Sequence, residues 1–88
     1  MKQICTTSTF DRDLKRAIKR QKSLQKLQSV VKIIATNHSL PAKYRPHKLN
    51  GEYFQKWECH IEPDWLLIYE ITEKAVILYR TGSHADLF

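Results

Sequence analysis

Between Trp65 and Ile71 the chain carries one charged side chain, Glu70, among Trp, Leu, Leu, Ile, Tyr and Ile. An apolar run of that length, with no helical period, reads as a strand covered on both faces. Such a strand needs a neighbour on each side within a sheet. The flanking residues supply them. Lys56 to Glu62 alternates with period two, with Trp57, Cys59 and Ile61 on one side and Lys56, Glu58, His60 and Glu62 on the other. Glu62-Pro63-Asp64-Trp65 is a tight turn. Thr72-Glu73-Lys74 turns the chain again, and Ala75 to Thr81 is a third strand. The last third is therefore an antiparallel meander with the apolar run at its centre.

The first half has a different period. Gln3 to Thr6 reads as a short first strand. Thr6-Thr7-Ser8-Thr9 then offers N-cap hydroxyls, and Asp11 and Asp13 fall in the first turn, where the helix dipole favours anions. Phe10, Leu14, Ala17, Ile18 and Gln21 recur at helical spacing, opposite Arg12, Lys15, Arg16, Lys19, Arg20 and Lys22. Ser23 caps a second helix with Leu24, Leu27, Val30, Val31 and Ile34 as its apolar stripe. Asn37 reads as its left-handed terminator, and Pro41 lies beyond its end. Lys43 to Gly51 reads as an irregular connection. Eighty-eight residues make one domain, 1–88. The expected fold is α+β: an N-terminal strand and a two-helix hairpin packed on an antiparallel β-sheet, in the order β-α-α-β-β-β. A helix pair covers one sheet face and leaves the other partly open. Glu58 and His60 emerge on that open face.

Charge is unevenly spread. Residues 1–50 carry twelve Lys and Arg against Asp11 and Asp13, while residues 51–88 carry Lys56, Lys74 and Arg80 against seven acids. The first half suits a polyanionic partner; a merely solvated Lys/Arg face is the alternative. With Gly51 and Gly82 the only glycines, no Gly-rich phosphate loop exists. Cys5 and Cys59 are too few for a disulfide scaffold and lack metal-ligand spacing, so reduced thiols are expected. His47, His60 and His84 have none of the short spacings of zinc motifs, and neither a metal nor another cofactor is expected. Met1 to Cys5 leads straight into polar residues and no run is long enough for a membrane span, so a soluble, cytoplasmic protein with no membrane partner is expected.

The groups fit for chemistry cluster late in the chain. His60, Asp64, Trp65, Arg80, His84 and Phe88 combine proton-transfer groups, a cation and aromatic faces, the three kinds of group that RNA cleavage requires. Each also has an ordinary reading. His60 and Glu58 suit a solvated strand face, Asp64 a turn, and Trp65 and Trp57 a core. His47 and His38 suit loops, and a terminal Phe88 is usually frayed or packed.

His47 to Gly51, Glu58 to Tyr69 and Arg80 to Phe88 together resemble the YafQ branch of the RelE/ParE toxins. His-Ile-x-Pro-Asp-Trp and Arg-Thr-Gly-Ser-His-x-x-Leu-Phe are the specific stretches, and the likeness in element order covers the chain. The resemblance implies a RelE-like fold and a type II toxin–antitoxin toxin. It implies an endoribonuclease that cuts mRNA on the ribosome and is blocked by a cognate antitoxin. It carries catalytic positions onto His47, Glu58, His60, Asp64 and His84, and RNA contacts onto Trp65, Arg80 and Phe88. Lys56-Trp57 stands where relatives commonly have Tyr-Arg, which puts one phosphate contact in question. In the implied reaction the RNA's own 2′-hydroxyl attacks, leaving a 2′,3′-cyclic phosphate, with no metal required. His60 or His47 with Asp64 supplies the base, His84 the acid or charge stabiliser, and Arg80 assists. A non-catalytic RNA- or antitoxin-binding domain, or a gyrase-directed ParE-like toxin, would share the fold.

Overall fold

The computed structural model describes residues 1–36 and 39–88. Asn37, expected to end the second helix, and His38 lie outside the described residues. The chain runs β1 (Gln3–Thr6), α1 (Ser8–Lys19), α2 (Leu24–Ala35), β2 (His47–Lys48), β3 (Trp57–Glu62), β4 (Trp65–Ile71), β5 (Ala75–Gly82) and α3 (His84–Leu87). Short 3₁₀ turns at Ala42–Tyr44 and Gly51–Tyr53 flank β2. The sheet order is β1-β5-β4-β3-β2. The β3-β4-β5 meander is antiparallel, as the hydrophobic pattern requires. β1 joins β5 in parallel, making the sheet mixed, and the two-residue β2 adds an edge to β3.

Side-chain alternation along β4 builds a core on each face. Trp65, Leu67 and Tyr69 join Phe10, Ala17, Leu27, Val30, Val31 and Ile34 in the layer under α1 and α2. Leu66 and Ile68 point the other way and meet Leu87 of α3, with Leu49, Tyr53 and Tyr79 against them. Each such aliphatic side chain stabilises the fold by roughly 1.5–3 kcal/mol on burial. The second, smaller layer is what the functional side chains stand on.

Helix α1 departs from its expected stripe. Thr7 caps it by accepting from the Phe10 N–H. Its buried residues are Phe10, Asp13 and Ala17, while Ile18 is 49% exposed. Partners on β5 turn the helix: the Asp13 carboxylate accepts from Arg80 Nε at 2.7 Å, Arg80 Nη2 at 3.1 Å and the Thr81 N–H at 3.2 Å. A buried carboxylate is tolerable only with such charge-assisted partners. In α2 the Ser23 cap holds as expected, but Leu24 at the first turn is exposed.

Candidate active site

Glu58 and His60 do emerge on the sheet face away from α1 and α2, opposite Ile68 and Leu66 of β4. β2 sets His47 directly across from Glu58. Glu58 Oε1 lies 3.2 Å from His47 Nε2 and 3.8 Å from His60 Nε2, and the two rings are 6.5 Å apart between centroids. The Glu58 side chain is nearly buried between them.

The outer nitrogens of both rings are fixed by backbone. His47 Nδ1 is 2.9 Å from the Arg45 carbonyl, and His60 Nδ1 is 3.1 Å from the Pro63 carbonyl. A carbonyl only accepts, so each Nδ1 carries a hydrogen and donates it. Both Nε2 atoms then face the same carboxylate oxygen. In the His47–Glu58 contact a bond requires one proton, on Nε2 or on the carboxyl oxygen. The trio therefore gathers the Nε2 atoms of two imidazoles about one carboxylate oxygen.

On the far side of β4, Leu66 pairs with Gly82 of β5. His60 and Gly82 are thus two strand spacings apart, about 10 Å. Gly82 leads into α3, whose N-cap Ser83 accepts from the Asp86 N–H while Asp86 Oδ2 accepts from the Ser83 N–H. That reciprocal pair is a capping box. Asp86 folds back so closely that a Cβ at Gly82 would meet its side chain at 3.0 Å. Arg20 Nη1 donates to Asp86 Oδ2 at 2.7 Å, and Arg16 stands 3.7 Å away. Arg20, then Ser83, hold the Asp86 carboxyl well below the usual carboxylate range.

Asp64 also serves this helix. Its Oδ1 accepts from the His84 N–H at 3.1 Å. It therefore positions His84 through the backbone, and the carboxylate set against His60 is Glu58. The His84 ring lies on Phe88, with centroids 5.0 Å apart at a 33° tilt. Phe88 meets Tyr53 edge-on at 5.9 Å. Tyr53 belongs to the turn that follows β2, so this contact spans the face from one histidine group toward the other. Phe88 remains 57% exposed, leaving ring surface for a planar ligand.

Two expected RNA contacts are placed differently. Trp65 is 1% exposed and its Nε1 donates to Thr81 Oγ1 at 2.9 Å. Its indole is core, because the alternation that points Leu66 to the site face points Trp65 to the helices. Arg80 is held by Asp13, which raises its pKa above the ordinary guanidinium value, with Tyr53 contributing less. A bulge at Tyr79 pairs Arg80 with Ile68, and β1 has already ended opposite Leu78. The guanidinium thus reaches α1 past the open edge of β5. It keeps N–H groups free of Asp13.

Lys56 sits 4.4 Å from the Tyr79 ring centroid and 3.9 Å from Glu70. Cys59 is a buried thiol whose pKa burial pushes up to about 12, with Glu58 adding to it, so it is chemically inert. Among the described residues, no three His, Cys, Asp or Glu gather as metal ligands, and no helix is long and apolar enough to cross a membrane.

Sequence reading missed Asp13, Arg20, Arg45, Tyr53 and Asp86. Only Asp86 carried a local signal, the Ser-x-x-Asp spacing of a capping box.

Residues 2–88 match the family model for the bacterial toxin of the type II toxin–antitoxin system, YafQ. The mRNA interferase toxin YafQ of Escherichia coli K12 is 41% identical over 80 residues, 90% of this chain and 87% of that protein. The crystal structure of YafQ from E. coli BL21(DE3) superposes with a TM-score of 0.93 at 37% identity, covering 100% of this chain and 99% of that one. YafQ in the E. coli DinJ–YafQ toxin–antitoxin complex gives 0.90 at 39% identity, over 99% and 97%.

Proposed function

This chain belongs to the YafQ family of type II toxin–antitoxin toxins, and we propose that it is an endoribonuclease that cleaves messenger RNA. The single observation that carries the reading is the convergence of His47 and His60 Nε2 on one oxygen of Glu58, at 3.2 and 3.8 Å. The trio shares a sheet face with a second imidazole group, His84 on Phe88.

Cleavage in this scheme begins at the 2′-hydroxyl. The His47–Glu58–His60 group takes its proton through Nε2, and the oxygen attacks the adjacent phosphorus. His84 donates a proton to the departing 5′-oxygen. Arg80 stabilises charge on the phosphorane electrostatically, at a distance set by Asp13. Phe88 stacks a base beside the cut. The ribose supplies the nucleophile, so the scheme asks nothing of a metal. Imidazole titrates near neutrality and suits both proton roles, each typically worth ~10²–10⁴ in rate. The product is a 2′,3′-cyclic phosphate.

The partners that fit are a cognate antitoxin, as DinJ is for E. coli YafQ, and the ribosome. Arg12, Lys15 and Lys19 of α1 are exposed, and no ion pair among the described residues engages them. They give a cationic face for ribosomal RNA whose affinity falls steeply with salt. An acidic antitoxin segment competes for it.

Wild-type protein and His84→Ala, each given translating ribosomes, test the proposal. Cuts ending in 2′,3′-cyclic phosphate and lost in the variant are expected. Cutting that continues when deoxyribose replaces ribose at the cut site sinks the mechanism. No cutting by either protein sinks the activity and leaves a binding domain of this fold.

A further inference from the structure

β2 covers β3 only opposite Trp57 and Glu58, so from Cys59 to Glu62 the outer edge of β3 has no strand beside it. A groove of about 510 Å³ runs along that edge. It is lined by His60, Glu62 and Pro63, by Lys26 of α2, and by Lys43 and Arg45 at the Ala42–Tyr44 turn and its end. Its volume lies within the ~300–1,000 Å³ range of ligand sites.

The charge within the groove is one-sided. Its acid, Glu62, is neutralised by Lys26 at 2.8 Å and by Lys22 at 3.3 Å, whose bonds lower its pKa. Lys43 and Arg45 have no carboxylate partner among the described residues. Between them Tyr44 is half-buried and packs on the main core, with the Lys43 Nζ 5.0 Å from its ring centroid, and both Lys43 and Arg45 are exposed. Arg45 is left-handed at φ 48°, a backbone state that costs a non-glycine residue roughly 1–2 kcal/mol. That same residue's carbonyl receives His47 Nδ1. The strained residue thus ties the groove to the histidine trio, and stored strain concentrates where function requires a fixed geometry.

We propose that this groove is a binding subsite for the RNA strand running on from the cut, with Lys43 and Arg45 gripping the phosphates next to the scissile one. The inference rests on the nuclease reading, which puts the scissile phosphate at His60. His60 is a wall of both the site and the groove, so a strand leaving the cut along β3 enters the groove directly. A continuous polyanion fits two exposed cations that no carboxylate among the described residues neutralises, beside an acid that two lysines do.

The test uses a trinucleotide and a decanucleotide, each containing the site that wild-type protein cuts and each carrying deoxyribose there to stay intact. Binding is measured by fluorescence anisotropy across a salt series, against wild type and Lys43→Ala/Arg45→Asn. Asn tolerates the left-handed backbone and so preserves the carbonyl toward His47. The double variant should bind the decanucleotide about tenfold more weakly, with a salt slope shallower by about 1.4 for two lost phosphate contacts. Its trinucleotide affinity should match wild type. Lys43→Gln alone, at an exposed position, should lose about threefold and serves if the double variant folds poorly. Equal decanucleotide binding, or equal losses on both lengths, overturns the subsite. Retained RNA affinity with lost antitoxin affinity assigns the groove to the antitoxin and also overturns it. RNA that wild-type protein never cuts overturns the nuclease reading itself, a separate result.

Discussion

His60 stands on a six-residue strand paired with β4, and its ring is braced by a carbonyl on one nitrogen and faces Glu58 with the other. His84 stands on one turn of helix, and its bracing acts on the backbone, through Asp64 and the Ser83–Asp86 box. The first arrangement fixes a ring and a proton. The second fixes a point of attachment and leaves the ring to lie on an exposed Phe88. A proton acceptor must meet one hydroxyl in one geometry, so it belongs on a ladder. A group that serves the leaving oxygen must also let product go. A short helix anchored by Leu87 and a few surface links opens at lower cost than a strand does.

The strongest test of this contrast is loss of the imidazoles. His60→Ala and His84→Ala should each lower cleavage on translating ribosomes by ~10²–10⁴, and the double variant should cost little beyond the worse single. Fully multiplicative losses would break the picture of two halves serving one event. Glu58→Gln keeps the shape but removes the charge facing both Nε2 atoms, and should lower the cleavage rate by about 10². RNA affinity should stay near wild type, and a matching loss of affinity would mean that Glu58 organises binding instead.

On the helical side the effects shrink. Phe88→Ala removes a stacking surface worth ~1–3 kcal/mol per base, so RNA should bind about tenfold more weakly. Unchanged affinity would leave Phe88 only a prop for His84.

Asp86→Asn should cost ~1 kcal/mol of stability at pH 7, as for loss of a helix cap. The sign with pH follows from the depressed carboxyl. The contribution is fully present above the unfolded Asp value of ~3.9 and is gone once pH has fallen through the lower native value. Denaturation of both proteins between pH 7 and pH 2 should show their difference constant to about pH 4 and shrinking below it. A difference that closes between pH 7 and pH 5 would remove Asp86 from the clasp. Least of all, Trp65→Phe should leave RNA affinity alone and cost ~0.5–1.5 kcal/mol for the bond to Thr81. Weakened RNA binding would return Trp65 to the site.

Residues near one another in sequence were legible before any coordinates. The period of two in β3, the apolar run of β4 and the two turns placed the meander within a residue of its ends. The same alternation put Glu58 and His60 together on the open face, and the specific late motifs pointed to His84 and Phe88. β2 and α3 escaped because two and four residues are too short to show a period. Arg80 was legible as a cation, but its bond to Asp13 was not, because the two lie 67 positions apart and nothing local marks the pair.

Sequence by itself determined the two long helices and the three meander strands, the shared face of Glu58 and His60 and the stock of proton-transfer groups, because those follow from side-chain period and local backbone preference. Tertiary structure alone decided which carboxylate serves which histidine. Glu58 rather than Asp64 meets the imidazole of His60, Asp64 holds His84 by its amide, and Trp65 belongs to the core. Those choices turn on register, on one bulge in β5 and on the rotation of α1, which are set by packing across the whole molecule and leave no mark in any short stretch of chain.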